Sequence, residues 1–321
     1  MKIEKKYIDI INFNVVFGEE EKPMLSYFNN IIYPAFKSNF INKGKNNEYM
    51  FMDINLFEKN KNTIFLTGML VKKTNIEIKS VLNPNKKVVS TNQNYESAPY
   101  SIFIINLKNH RMLLFKNQKG SPNLSNFSST FKKTIKNYTT IKNNILKQTG
   151  KKPFPNAIIN ILGVPILESI SNALKQVRKI KKLKLRFHPL NGDLNFNGLT
   201  NEIRKTVDSK TGSIIFNSPK SMEGVVEIID ESKGTVDVTM EVEYKNNAIG
   251  KIKNEAISKS VEIELFENED YTEEVRINNK LKSILKYSED IDSFNFENSS
   301  HNEIYDKYKG KILEFPIKRL K

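Results

Sequence analysis

Near the middle of this chain, four side chains that can carry positive charge occupy alternate positions: Lys182, Lys184, Arg186 and His188. Leu183, Leu185 and Phe187 lie between them. Strict alternation is the pattern of a half-buried β-strand, so the cations should share one face while the apolar residues meet a core. Such a row suits phosphate, because Lys offers a point charge and Arg a planar fork that can bond two phosphate oxygens at once. Lys175, Arg178, Lys179 and Lys181 lead into this strand, and Lys132, Lys133 and Lys136 sit on an earlier helical stretch. These ten Lys and Arg residues are the expected nucleic-acid-binding set.

Two histidines could turn binding into cleavage. A metal-independent ribonuclease needs a base for a 2′-hydroxyl, an acid for the leaving oxygen and a cation beside the phosphorane, and His110, His188, Arg186 and Lys184 include those types. No spacing rule brings His110 and His188 together. His110 lies in a turn beside Arg111, a setting in which histidine is commonly an ordinary surface residue, and His301 is expected to be solvent-exposed.

Metal chemistry has weaker signals. Asp230-Glu231-Ser232-Lys233 contains the Glu-x-Lys order used by some metal-dependent nucleases, but with Gly234 it also has the composition of a turn. Lys210-Thr211-Gly212 lacks a Ser-x-x-Lys partner. The chain has no phosphate loop, no dinucleotide glycine fingerprint, no His-Glu-x-x-His and no cysteine. No metal site and no cofactor are expected.

The charge is local. Residues 97–191 hold eighteen Lys and Arg against the single acid Glu168, a net of +17, whereas the whole chain is +15. From Glu223 to Glu274 the sign reverses, with fifteen acids against five bases. A block of one sign speaks to partners before it speaks to fold. Nucleic acid is the leading partner, RNA ahead of DNA, and the acidic stretch 223–274 could meet a protein. The alternatives are the ribonuclease and a non-enzymatic protein-interaction component.

The elements that must position these groups follow from periodicity. Tyr7 to Phe17 reads as a strand, Tyr49–Phe57 and Thr63–Val71 as a hairpin, Leu25–Phe36 as a short helix interrupted by Pro34, and Leu82–Pro99 as a loop or linker. Tyr100–Leu107 and Arg111–Phe115 flank a hairpin turn. Phe127, Phe131, Ile135, Tyr138, Ile141 and Ile145 mark the buried stripe of a helix. Ala157–Leu162 is a strand, Ile166–Val177 a second helix after Pro165, and Lys182–His188 the cationic strand. The order β-β-α-β-α-β predicts an α+β fold with mixed or antiparallel sheets, helices on one face and a ferredoxin-like unit in mid-chain.

Beyond Pro189, Thr200–Asp208 and Thr272–Tyr287 read as helices. Ser213–Phe216, Gly224–Ile229, Thr235–Glu243, Val261–Phe266 and Ile312–Ile317 read as strands, and Ser288–His301 as a mobile segment. The expected organisation is residues 1–96 as a mostly-β part of a first lobe, 97–191 as the basic α+β unit and 192–321 as an acidic second lobe. No apolar run approaches the roughly 18 to 20 residues of a membrane helix. Met1 to Phe17 is interrupted by Asp9, Asn12 and Asn14 and reads as a strand, so a cytoplasmic protein is expected.

The run Ile105-Asn106-Leu107-Lys108-Asn109-His110-Arg111, the stretch Gly198 to Arg204 leading into Glu223-Gly224-Val225-Val226-Glu227, and the opening Met1-Lys2-Ile3 together resemble an uncharacterised bacterial family found near mobile-element and phage-defence genes. The resemblance implies an accessory or effector role in defence and brings no catalytic residues. The order β-β-α-β-α-β also looks like the ferredoxin-like units of RNA-repeat-processing proteins, without their glycine-rich loop.

Overall fold

The computed structural model describes residues 2–60, 63–191, 206–209, 211–258, 260–267, 272–288, 291–295 and 297–319. The fold is α+β, built from two sheets. Most of the helix expected over Thr200–Asp208 lies outside the described residues.

In the large sheet β1 (Lys2–Phe17) makes the most pairings; from Ile10 to Phe17 it is buried on both faces, with Asn12 and Asn14 among its apolar residues. On one edge β1 pairs with β8 (Arg111–Lys116). On its other edge β14 (Ser260–Glu267) covers the first half and β9 (Ala157–Gly163) the second. Beyond β8 come β7 (Tyr100–Asn106), β5 (Thr63–Leu82), β4 (Asn47–Asn60) and, parallel to β4, β15 (Ile317–Arg319). Short strands β2 (Lys22–Pro23) and β3 (Asn42–Lys43) pair with β1 and β4, and β6 (Val88–Ser97) pairs with β5.

Both faces of this sheet are covered, where helices on one face were expected. Ile11, Phe13, Val15 and Phe17 meet α1 (Tyr33–Phe36), with the 3-10 and π turns of 24–32 before it, α2 (Leu124–Gln148) and, later in the chain, Tyr305 and Ile312. On the opposite face, Ile8 and Ile10 meet Leu281, Ile284, Leu285 and Phe294.

The small sheet has the order β11 (Gly212–Asn217), β10 (Val177–Phe187), β12 (Val236–Tyr244) and β13 (Ile249–Lys253), all antiparallel. One of its faces packs on α3 (Leu167–Leu174) and α4 (Met222–Glu231) through Ile170, Leu174, Val225 and Ile229. Gly224–Ile229 is therefore helix, not strand. Val225 and Ile229 are one turn apart, and the Ser221 hydroxyl caps the start by accepting the Gly224 N–H at 3.0 Å.

The expected order β7-β8-α2-β9-α3-β10 is present, but its strands part company. β7, β8 and β9 belong to the large sheet and β10 to the small one, so no ferredoxin-like unit forms. The boundary expected near residue 97 falls inside the large sheet, where β5 pairs with β7.

After β14 come α5 (Glu273–Tyr287), the helix expected there, capped by Thr272, then α6 (Asp292–Asn295) and α7 (Ser299–Ile312). The described part of the segment expected to be mobile is thus partly helical, with Phe294 fully buried. Ile312 ends a helix, and the returning strand starts at Ile317.

Polar side chains latch the small sheet onto the large one. Asn12 Nδ2 donates to the Gly234 carbonyl at 3.2 Å, Arg111 Nη1 to the Lys233 carbonyl at 2.9 Å, and Asn254 Nδ2 to the Gly163 carbonyl at 2.7 Å. Asn14 donates to the carbonyl of Pro189.

Candidate nucleic-acid interface

β10 does present cations outward, but not to open solvent alone. Val177, Ile180, Leu183 and Leu185 turn into the core, and two register shifts before Lys182 break the alternation that holds from there on. Directly across on β12, Lys179 faces Glu243, Lys182 faces Glu241, Lys184 faces Thr239 and Arg186 faces Asp237. Arg178 also pairs with Glu243. β12 alternates apolar residues with Asp237, Thr239, Glu241 and Glu243, and opposite charges in register favour the pairing. On its far side, β13 adds Lys251, 3.6 Å from Glu241. This face is a basic, acidic and basic series of strands, partly neutralised within itself.

Asp237 lies in this charged row. Burial and the nearby carboxylate of Glu255 hold its carboxyl above the ordinary range, against the pull of Arg186, Lys184 and Lys253.

The cations on α2 are a different case. Asn123 caps this helix by accepting the Asn126 N–H at 3.0 Å, while the Asn126 side chain accepts the Asn123 N–H at 3.1 Å. Phe127, Phe131 and Ile135 bury one stripe in the large core. Lys132, Lys133, Lys136 and Lys147 lie on the opposite side, within an arc of about 100° at 3.6 residues per turn. The helix contains no acid. Among the described residues Lys132, Lys136, Lys142 and Lys147 make no ion pair, and Lys133 donates to the Asn42 side chain at 2.8 Å. The apolar stripe is shorter than expected. Ile141 and Ile145 are about half exposed, at 53% and 50%, because the helix runs on past the core.

The two sets meet at one corner. His188 is partly buried, and its Nε2 has no hydrogen-bond partner among the described residues. Burial, then the positive charges of Arg186 on β10 and Lys132 on α2, push its pKa down to about 4. Below Lys132 an open cleft of about 350 Å³ runs between α2 and the segment before β14, lined by Ser125, Ser128, Ser129, Asn254 and Glu255.

His110 is elsewhere. It is fully buried, at a φ of 58° in the turn between β7 and β8, with its ring 6.0 Å from that of His301. The surface positions expected for both residues are therefore corrected: α6 and α7 close over that turn, with Phe294 and Tyr305 fully buried. Asn109 donates to the Phe294 carbonyl at 2.7 Å, and Lys108 pairs with Glu297 at 2.6 Å. A substrate at the surface does not reach His110, so a two-histidine ribonuclease loses one of its members.

Asp230 and Lys233 pair at 2.7 Å where α4 ends, with Lys233 in the left-handed region at a φ of 46°. Their segment is a turn. Among the described residues no group of three or more His, Cys, Asp or Glu could hold a metal ion, and no helix is long and apolar enough to cross a membrane. The unneutralised outer face of α2 was only half legible, since the sequence gives helical spacing and the lack of acids but not which cations acids elsewhere would cover. No family model and no curated protein matches this chain.

Proposed function

We propose that the protein binds nucleic acid by its phosphate backbone, on the outer face of α2 and the corner where Lys132 meets Arg186. One observation carries the reading: four lysines share one side of a helix that has no carboxylate. Lys132 to Lys147 spans about 22 Å at 1.5 Å per residue, room for several consecutive phosphates. Backbone contacts of this kind position a strand without reading its sequence.

The reading shifts weight from β10 to α2. Most cations on β10 face acids on β12; Lys184, which faces Thr239, and Arg186 beside it at the corner extend the α2 surface. Separation of the β-β-α-β-α-β order into two sheets removes the reason for placing RNA ahead of DNA, so both are tested side by side. The resemblance drawn from the sequence puts such binding in an accessory or effector role in phage defence, and that role is part of the proposal.

The test is fluorescence anisotropy with labelled single-stranded RNA, single-stranded DNA and duplex DNA over a salt series. Binding that weakens linearly in log-log form as salt rises supports the reading. No binding to any of the three at low salt overturns it.

A further inference from the structure

Among the described residues, a group of exposed large apolar side chains lies on the arm formed by β5 and β6, a stretch whose second half reads in the sequence as a linker. Along β5 the face that carries Ile64, Leu66 and Leu70 is covered by the large core. The same face runs on bare from Thr74 to Leu82. Beyond Thr74, where its pairing with β4 ends, it pairs among the described residues only with β6, in the register Thr74 with Ser97, Ile76 with Tyr95, Ile78 with Gln93, Ser80 with Ser90 and Leu82 with Val88. Eight residue steps carry this ribbon about 26 Å.

Three properties of the arm bear on what covers it. These five pairs contain no charged residue, although the chain is +15, so this face offers phosphates nothing. Charges sit on the other face and at the tip, with Glu77, Lys79, Glu96 and Lys86. A two-stranded ribbon without a third strand or a covering layer is marginal in water. Ile76 is 51% exposed, Leu82 65%, Val88 74% and Tyr95 52%. Burying that face on two such arms removes on the order of 1,000 Å² of surface, the lower bound for a specific interface. A lipid surface fits less well, since Asn83, Asn85, Lys86 and Lys87 at the tip would enter first.

We propose that this uncharged face packs against the same face of a second copy of the chain, making a two-layered, two-fold sandwich of arms. The middle pair, Ile78 and Gln93, then lies near the symmetry axis. The surface is independent of α2, so dimerisation and nucleic-acid binding are separable.

Sedimentation velocity over a wide concentration range tests this on the full chain. The wild type should show a monomer–dimer equilibrium. Leu82→Glu combined with Val88→Lys keeps a favourable cross-strand pair but removes the apolar face, and should leave only monomer. Val81→Glu with Val89→Lys, on the other face, should dimerise as the wild type does. Because the chain has no cysteine, Gln93→Cys alone should give a disulfide-linked dimer on oxidation. A wild type that stays monomeric overturns the proposal, as does a dimer unchanged by the Leu82 and Val88 pair of substitutions. Loss of nucleic-acid binding in that variant from a monomeric wild type would assign the arm to nucleic acid instead.

Discussion

Arg186 on β10 stands directly across from Asp237 on β12, and two pairs along the same strands Lys182 stands across from Glu241. A surface that looks purely cationic in the sequence of β10 is thus one side of a ladder of facing charges whose other side, the acids of β12, lies more than fifty residues downstream; Arg178 and Glu243 form an ion pair across it. Changing Lys182, Lys184 and Arg186 to Glu sets carboxylates against carboxylates. At roughly 0.2 to 1 kcal/mol for each cross-strand pair, lost and then reversed, the triple variant should be less stable by about 1 to 2 kcal/mol in urea denaturation. Adding Asp237→Lys should recover part of that loss, whereas Glu241 also faces Lys251 on β13 and is left in place. If the triple variant is as stable as the wild type, the ladder contributes nothing.

Cations without a partner behave differently. Lys132, Lys136 and Lys147 are exposed on α2, so changing all three to Gln should leave the unfolding midpoint within about a degree. For single-stranded nucleic acid each neutralised phosphate contributes about −0.7 to the log-log salt slope, so losing three contacts should flatten it by about 2. The slope, measured by anisotropy, separates loss of phosphate contacts from loss of fold. An unchanged slope would place the interface elsewhere.

The two surfaces differ in how much a single sequence carries of them. Local patterns were legible: the hairpin around Lys108–His110, the stripe of α2, the helix over Thr272–Tyr287 and the alternation from Lys182 onward all depend on near neighbours. Pairing was not. That β9 joins β1 while β10 joins β12 is decided by which edges are free after collapse, and no residue in β9 or β10 announces it. The β6 strand was hidden by composition, since Ser90, Thr91, Asn92, Gln93 and Asn94 are turn-like residues that are extended here because β5 offers a ladder. Val225, Val226, Ile228 and Ile229 fit a buried strand as well as a helix, and the Ser221 cap decides between them. His110 and His301 were misplaced because burial by a helix far along the chain leaves no local mark.

His188 gives a pH signature. Its pKa falls from about 6.5 to about 4 on folding, so the unfolded chain binds the proton first as pH drops. The stabilising contribution is complete above pH 6.5 and is lost progressively down to pH 4. At about 1.4 kcal/mol per unit, this is up to about 3 kcal/mol, reduced by the partial exposure of the ring. Urea denaturation at several pH values should show stability declining across that window, and His188→Gln should flatten the decline. A wild type and variant with parallel profiles would show that His188 titrates normally.

Gly234 tests the junction that sets α2 against the small sheet. Its φ is 79°, its carbonyl accepts from Asn12, and a Cβ there would come 3.3 Å from Val164 Cα and 3.4 Å from both Asn12 Cβ and the Gly163 carbonyl oxygen. Alanine adds the tight contact and a left-handed backbone that costs about 1 to 2 kcal/mol. Asparagine adds the same Cβ, but its short polar side chain makes that backbone conformation easier to adopt. If backbone strain is the main cost, Gly234→Ala should be less stable than Gly234→Asn in urea denaturation, even though Asn is the larger residue. If crowding against Val164 and Asn12 dominates, the order reverses, and the junction is held by close packing more than by the turn that Gly234 makes possible.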